Sequence, residues 1–181
     1  VTHCDAVQGF GKLPIDVKKL GVDLLTLSGH KIHAPKGVGV LFKAKGVNIK
    51  ESVFGGGQEK GLRSGTEGLP AICGLEGALK ELGDINKKLS HIAELNSYAR
   101  SVLLGTGLVK INSPENALPY ILNICVSGYK SETLLHFLEA KNIFVSSGSA
   151  CSKGVKSYVL KEMGISDKEI DSSLRISFSK D

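Results

Sequence analysis

The apolar run VDLLTLS, at residues 22–28, limits the possible folds more than any other stretch of the chain. A nearly continuous apolar run of this length is typical of a strand that is buried on both faces. The preceding segment, PIDVKKLG, predicts a short helix with Pro14 near its start and Gly21 at its end. The following segment, GVGVLFKA at residues 37–44, predicts the next strand. Strand and helix signals that alternate in this way favour an α/β fold.

Two helices are expected after a glycine-rich loop at residues 54–68. The first runs from Leu69 to Leu82, where apolar residues are spaced for one buried face. The second runs from Asp84 to Leu104, with apolar residues along one side and Lys and Glu along the other. A long, one-sided helix of this kind can bridge two domains.

The second half of the chain predicts short strands that alternate with short helices. An amphipathic helix is expected at residues 131–142, with Ser131 as its N-cap, and SYVLKEMG predicts a helix that ends at Gly164. The expected strands are LVKIN (108–112), YILNICV (120–126), IFVSS (143–147) and SLRISFS (173–179). This alternation suggests a small α+β sandwich.

Composition argues against several classes of function. The chain has 181 residues and a hydrophobic content of 41%, which is enough for one ordinary core or two small ones. Its net charge of +5 is scattered, without the basic stripe and aromatic residues of a nucleic-acid-binding surface. No apolar run reaches the roughly 18 residues of a membrane span. The four cysteines include no Cys-x-x-Cys pair, so we expect reduced thiols in a cytoplasmic protein, and no metal site.

Lys31 lies just beyond the buried strand, in the sequence SGHK. In open α/β sheets, ligands bind beyond the carboxyl ends of the strands. An amine in such a place becomes a nucleophile when burial or nearby cations favour its neutral form. Ser28 and His30 flank Lys31 as candidate phosphate ligands, and Gly29 permits a tight turn.

A carboxylate is expected at the same edge of the sheet. Asp5 falls at the end of the preceding predicted strand, where it could pair with a ring nitrogen. A lysine, phosphate ligands and a carboxylate at adjacent strand ends together fit a pyridoxal-phosphate site. The alternative is a surface lysine in a Gly/Pro turn. Lys31 alone favours that alternative, and with Asp5 and Gln8 the two interpretations are evenly balanced.

Four motifs, in order along the chain, resemble those of one family. They are HCDAVQGFGKLPIDVKKLGVDLLTLSGHKIHAPKGVGVLF, GGGQEKGLRSGTE, VSSGSACS and SSLRISFS. Over almost its whole length the chain is similar to the C-terminal part of the NifS/IscS-like cysteine desulfurases, which are fold-type I pyridoxal-phosphate enzymes of aminotransferase class V. The block from Asp5 to Lys31 indicates only the wider class, whereas SSGSAC ahead of an amphipathic helix indicates a desulfurase.

The resemblance implies a role for each residue around Lys31. Lys31 would form a Schiff base with the cofactor aldehyde, and Asp5 would pair with the protonated pyridine nitrogen. Gln8 would form a hydrogen bond with the phenolic oxygen, while Ser28 and His30 would bind the phosphate.

Three further residues take their expected roles from the same resemblance. Thr66, in RSGT, would bind the phosphate of the partner's cofactor across a homodimer interface; it could also be the N-cap of the helix that begins near Leu69. Arg175 would hold the substrate carboxylate, although a surface arginine on an edge strand is the alternative. Cys151 would accept sulfur. Its loop, SSGSACSKG, is rich in small residues, a composition that suits a mobile segment.

The implied fold is part of a PLP-transferase-like large domain with a mostly parallel sheet, followed by a small α+β sandwich domain. The expected domains are residues 1–105, which include the linking helix, and residues 106–181, which lack the family's last helix. Ala34 stands where the family usually has glycine, and Gln58 where some members have histidine. The family's upstream half, with its glycine/threonine phosphate loop and a histidine that stacks on the cofactor ring, has no counterpart here.

The implied function is removal of sulfur from L-cysteine to give L-alanine and a persulfide on Cys151. The sulfur acceptor would be an iron–sulfur scaffold or another acceptor protein. One alternative is a related class V aminotransferase or selenocysteine lyase that needs no catalytic thiol. The other is a catalytically incomplete fragment that acts only in dimerisation or docking.

Overall fold

A computed structural model describes residues 1–147 and 157–179 of the chain. The chain divides into two compact units, Val1–Lys87 and Lys88–Asp181. The division falls in the first turn of the long helix, which therefore groups with the second unit. The domain boundary expected after residue 105 stays a prediction.

The first unit contains a three-stranded sheet with the order β1-β2-β3. The strands are β1 (His3–Asp5), β2 (Leu24–Ser28) and β3 (Gly39–Lys43). β1 and β2 are parallel, whereas β2 and β3 are antiparallel. The described sheet is thus mixed rather than mostly parallel. The reason is the short connection from Ser28 to Gly39, which reverses the chain, since a parallel pairing needs a crossover of about a dozen residues or more.

The helix between β1 and β2 ends at Gly21, as the sequence predicts, but it begins after Asp16 rather than near Pro14. This helix, α1, covers Val17–Leu20, and the Asp16 carboxylate caps it by accepting from the amides of Lys18 and Lys19. Gly21 ends it with a left-handed φ of 64°, a conformation that glycine adopts without steric cost.

The core of the first unit lies between the turn Gly29–Ile32, which contains Lys31, and the next helix, α2 (Leu69–Glu81). Its buried residues are Ile32, Ala34 and Leu75. Gly74 of α2 lies so close to Pro35 that a Cβ there would be 2.6 Å from the proline ring. The helix therefore packs directly against the segment that follows Lys31 and fixes its position.

The second unit contains an antiparallel sheet with the order β4-β5-β6 and a core of Leu122, Ile124 and Leu174. The long helix that leads into it is α3 (Ile85–Gly105). The other elements are β4 (Val109–Ile111), β5 (Ile121–Val126), α4 (Ser131–Glu139), α5 (Tyr158–Glu162), α6 (Asp167–Asp171) and β6 (Ser173–Ser177). The expected combination of helices with a small sheet is confirmed.

Two local predictions for this unit are wrong. Ser131 is the first helical residue of α4 rather than its N-cap, because the extended backbone precedes it at Lys130. The segment 143–147 is not a strand, since it pairs with the sheet only through a bridge from Ser146 to Arg175. Helix α6 was not expected; Ser166 and Glu169 cap it reciprocally, the arrangement known as a capping box.

In the part of the chain that the structure describes, no helix has the length and apolar character needed to cross a lipid bilayer.

Candidate functional site

Two parallel strands bring their carboxyl ends to one edge of the first sheet. β1 ends at Asp5, which lies opposite Thr26, and β2 ends two residues further on, at Ser28. The Asp5 carboxylate is exposed, and its Oδ1 accepts a hydrogen bond of 2.9 Å from the amide of Val7. That bond fixes the orientation of the carboxylate at the strand end.

A 3₁₀ turn, Gly29–Ile32, carries Lys31 at this edge. Gly29 and Ile32 are buried, whereas His30 and Lys31 are exposed. Ile32 is anchored in the core against Leu75. The turn therefore holds its backbone against the protein while it presents the lysine amine and the imidazole to solvent or a ligand.

Gly29 is required by the close approach of the segment that leads into β3. Its amide donates to the carbonyl of Val38 over 2.9 Å. A Cβ at this position would lie 2.8 Å from Val38 Cγ1 and 3.1 Å from both the Val38 carbonyl oxygen and Ala34 Cβ. Only a residue without a side chain fits between the turn and this segment.

Ser28 and His30 interact with each other across the start of the turn. Ser28 Oγ lies 2.7 Å from His30 Nδ1, within hydrogen-bonding distance. The contact fixes the plane of the imidazole ring and leaves its Nε2 as the free edge. The two expected phosphate ligands are thus brought together by the structure.

Gln8 lies in the loop that follows β1 and interacts with a residue to which the sequence assigned no role. Its Oε1 accepts a hydrogen bond of 3.1 Å from Lys12 Nζ. Burial, and then the positive charge of Lys31, lower the pKa of Lys12 below its ordinary value of 10.5. The spacing of four residues across GFG was the only signal in the sequence that could have indicated this contact.

Thr66 lines a cavity of about 360 Å³ with residues of the glycine-rich loop, the start of β3 and the start of α2. Gly39, in the same lining, pairs with Ser28. The cavity therefore adjoins the sheet edge that carries Lys31. Thr66 is not the N-cap of α2, because that position is taken by Gly68, which makes no side-chain cap.

Arg175 lies on β6, in the second unit, opposite Asn123. Its backbone also bridges Ser146, with hydrogen bonds of 2.7 and 3.1 Å. The side chain is half-buried, and its Nε is buried with no hydrogen-bond partner among residues 1–147 and 157–179. It is therefore not simply a surface arginine. Cys151, the expected sulfur acceptor, lies outside the described residues.

The edge of this mixed sheet carries an amine, a carboxylate and a hydroxyl–imidazole pair. In α/β folds, ligands bind in this place, beyond the carboxyl ends of the strands. The family model for aminotransferase class-V matches residues 1–181, and the chain belongs to that family. Members of this family depend on pyridoxal phosphate.

Individual relatives agree with this assignment. The chain is 40% identical to the cysteine desulfurase IscS of Methanosarcina thermophila over 186 residues, which is 98% of this chain and 45% of that protein. An X-ray structure of a NifS-like protein from Rickettsia africae superposes with a TM-score of 0.82 at 37% identity, covering 98% of this chain and 48% of that one. A structure of SspA in complex with cysteine has a TM-score of 0.75 at 33% identity, covering 97% and 49%.

The chain thus has the fold of the NifS-like proteins and spans about half the length of the relatives it matches. The covered fractions give how much of each relative is matched, but they do not show which part of it. They lend no support to the expectation that the chain is the C-terminal part of such a protein.

Proposed function

We propose that this chain carries the cofactor lysine and the sulfur-accepting cysteine of a pyridoxal-phosphate-dependent cysteine desulfurase. One observation carries the proposal. The exposed amine of Lys31 stands on a turn clamped by buried Gly29 and Ile32, directly beyond parallel strands that end in Asp5 and Ser28.

The residues at this edge fit the chemistry of pyridoxal phosphate. The cofactor needs an amine for its aldehyde, an acid for its ring nitrogen and hydrogen-bond donors for its phosphate. Lys31, Asp5 and the Ser28–His30 pair are groups of these kinds, and the described contacts leave Lys31 and the imidazole Nε2 accessible. Thr66 of a second copy would complete the phosphate site in a homodimer, as the cavity beside it permits.

When bound, pyridoxal phosphate supplies an electron sink for a carbanion at the substrate Cα. Lys31 would hold the aldehyde through its amine and carry the proton that leaves Cα. Asp5 would keep a proton on the ring nitrogen, because a carboxylate beside that nitrogen favours its charged form. Gln8 would donate to the phenolic oxygen.

Arg175 is proposed to bind the carboxylate of the amino acid. Its buried Nε lacks a partner in the described part of the chain, and a buried donor without a partner costs stability. A carboxylate would supply acceptors for the planar guanidinium fork in a bidentate pair. The unpaired nitrogen therefore supports a ligand that carries this group.

Cys151 is proposed to take the sulfur atom. Its thiolate would form a bond to the thiol sulfur of L-cysteine, the Cβ–S bond of the substrate would break, and Cβ would gain a proton. In balance, L-cysteine and one protein thiol give L-alanine and one persulfide. The cysteine desulfurase relative supports this substrate, as does the SspA structure with cysteine. Delivery to an iron–sulfur scaffold or another acceptor in the cytoplasm would follow.

The test uses protein purified from its complete reading frame. With L-cysteine and a reductant, it should release alanine and sulfide in equal amounts. C151A should abolish sulfide release and keep the absorbance of bound cofactor, whereas C73A, at an exposed cysteine of α2, should match the wild type. Full sulfur transfer by C151A would contradict the assignment, and alanine production independent of Cys151 would indicate a class V enzyme without a catalytic thiol.

A further inference from the structure

Lys12 lies next to the candidate cofactor residues but has no part in the mechanism above. The loop that carries it is tightly wound: the amides of Gly9 and Phe10 donate to the Ala6 carbonyl, and that of Lys12 donates to the Gly9 carbonyl. This winding turns the Lys12 side chain back toward Gln8.

The same loop is packed against the Lys31 turn. Gly11 has a φ of +76°, and a Cβ there would lie 2.7 Å from Ile32 Cγ2. Phe10, on its other side, packs on the core that contains Ile32. Two independent contacts therefore hold the loop beside the residue that follows Lys31, so Lys12 has a fixed place in the site.

The contact between Lys12 and Gln8 determines which end of the Gln8 amide is available. An ammonium group has only donors, so the atom of Gln8 that meets it is the carbonyl oxygen. The amide NH₂ group is then left for a ligand. This group can only donate hydrogen bonds, so its partner must be an acceptor such as an oxygen atom.

We propose that Lys12 is a positioning residue that fixes the Gln8 amide with its NH₂ group directed at the phenolic oxygen of pyridoxal phosphate. The inference rests on the proposed function, because it takes Gln8 as a cofactor ligand. Without Lys12 the amide is free to flip and present its oxygen, which would repel the phenolic oxygen.

The test measures the affinity of apoprotein from the complete reading frame for pyridoxal phosphate, followed by visible absorbance. K12M should weaken binding ~10-fold, the size expected for loss of one charge-assisted hydrogen bond. In a Q8A background the same change should cost less than about 2-fold, since contacts that act through one another are not additive. K12M and Q8A should also shift the absorbance maximum of the bound cofactor in the same direction.

Variants and controls separate positioning from a structural role. K12R keeps a donor and should bind within about 3-fold of the wild type. K12A removes both the charge and the donors, and the same loss is expected of it as of K12M. K19M, at an exposed lysine of α1, should change nothing. Unchanged affinity in K12M and K12A, or an equal loss with and without Gln8, would overturn the inference alone. Failure of the wild type to bind pyridoxal phosphate would overturn the proposed function and this inference with it.

Discussion

Ser28 Oγ lies 2.7 Å from His30 Nδ1, and this pair opens the turn that presents Lys31. Because the serine engages one ring nitrogen, the imidazole is oriented before any ligand arrives. A group that is already oriented loses less conformational entropy on binding than a free one. The pair is therefore suited to hold an anion such as the cofactor phosphate.

We expect S28A and H30A each to weaken pyridoxal-phosphate binding ~10-fold, and S28A/H30A to cost less than the sum, because the two residues act as a unit. Titration of apoprotein, followed by absorbance, measures the affinities. H33N is the matched control, since His33 is an exposed histidine of the same segment and asparagine tolerates its φ of 70°. Additive losses would show that the two residues act separately.

The close approach of the Lys31 turn to Val38 predicts the effect of a single methyl group. G29A should lower the free energy of unfolding by about 1–3 kcal/mol, because its Cβ would overlap Val38 and crowd Ala34. G77A, inside α2, meets nothing within 4 Å and should stabilise by up to about 1 kcal/mol. Urea unfolding measures both, and equal effects would contradict the proposed packing.

Arg100 joins α3 to the loop that precedes β5. Its guanidinium donates to the Asn96 side chain at 2.8 Å and to the carbonyls of Ser113 and Pro114 at 3.1 and 3.0 Å. We expect R100A to destabilise the protein by about 1–3 kcal/mol and R100K to recover little, because an ammonium lacks the planar fork. Urea unfolding is again the measurement, with S101A, at an exposed serine of the same helix, as control. Full recovery in R100K would show that charge alone matters.

Glu169 predicts how stability depends on acidity. Hydrogen bonds from Lys110 at 2.7 Å and from Ser166 lower the pKa of its carboxyl from 4.5 to about 2. A carboxyl with a depressed pKa in the folded state stabilises the protein above pH 4.5, and this contribution is lost as the pH falls toward 2. E169Q should therefore be less stable at neutral pH and lose less stability between pH 4.5 and 2.

Thermal unfolding across this pH range tests the prediction. E162Q, at an exposed glutamate of α5, serves as the control and should follow the wild-type curve. Parallel curves for E169Q and the wild type would mean that Glu169 does not contribute to the acid dependence.

Local sequence signals predict the part of the site that depends on the backbone. The apolar run at residues 22–28 and the glycine after Ser28 are sufficient to expect a strand that ends in a tight turn, and Gly21 is sufficient to end α1. The antiparallel pairing of β3 was missed, although the connection from Ser28 to Gly39 is too short for the crossover that a parallel pair needs.

Contacts between side chains were harder to predict. The Lys12–Gln8 bond depends on how the loop winds around Gly9 and Gly11, and no residue type in it signals a partner. Helix α6 was missed because it is short, although SDKE has the spacing of a capping box. The N-cap of α4 was predicted one residue too late, at Ser131 instead of Lys130, which is within the usual uncertainty of helix ends.

We expect Lys31, and no other lysine, to bind the cofactor covalently. Protein from the complete reading frame, loaded with pyridoxal phosphate, reduced with borohydride and digested, should carry the pyridoxyl mass on the peptide that contains Lys31, and K31A should carry none. The mass on Lys12 or any other lysine, or its absence from the wild type, would contradict this role of Lys31.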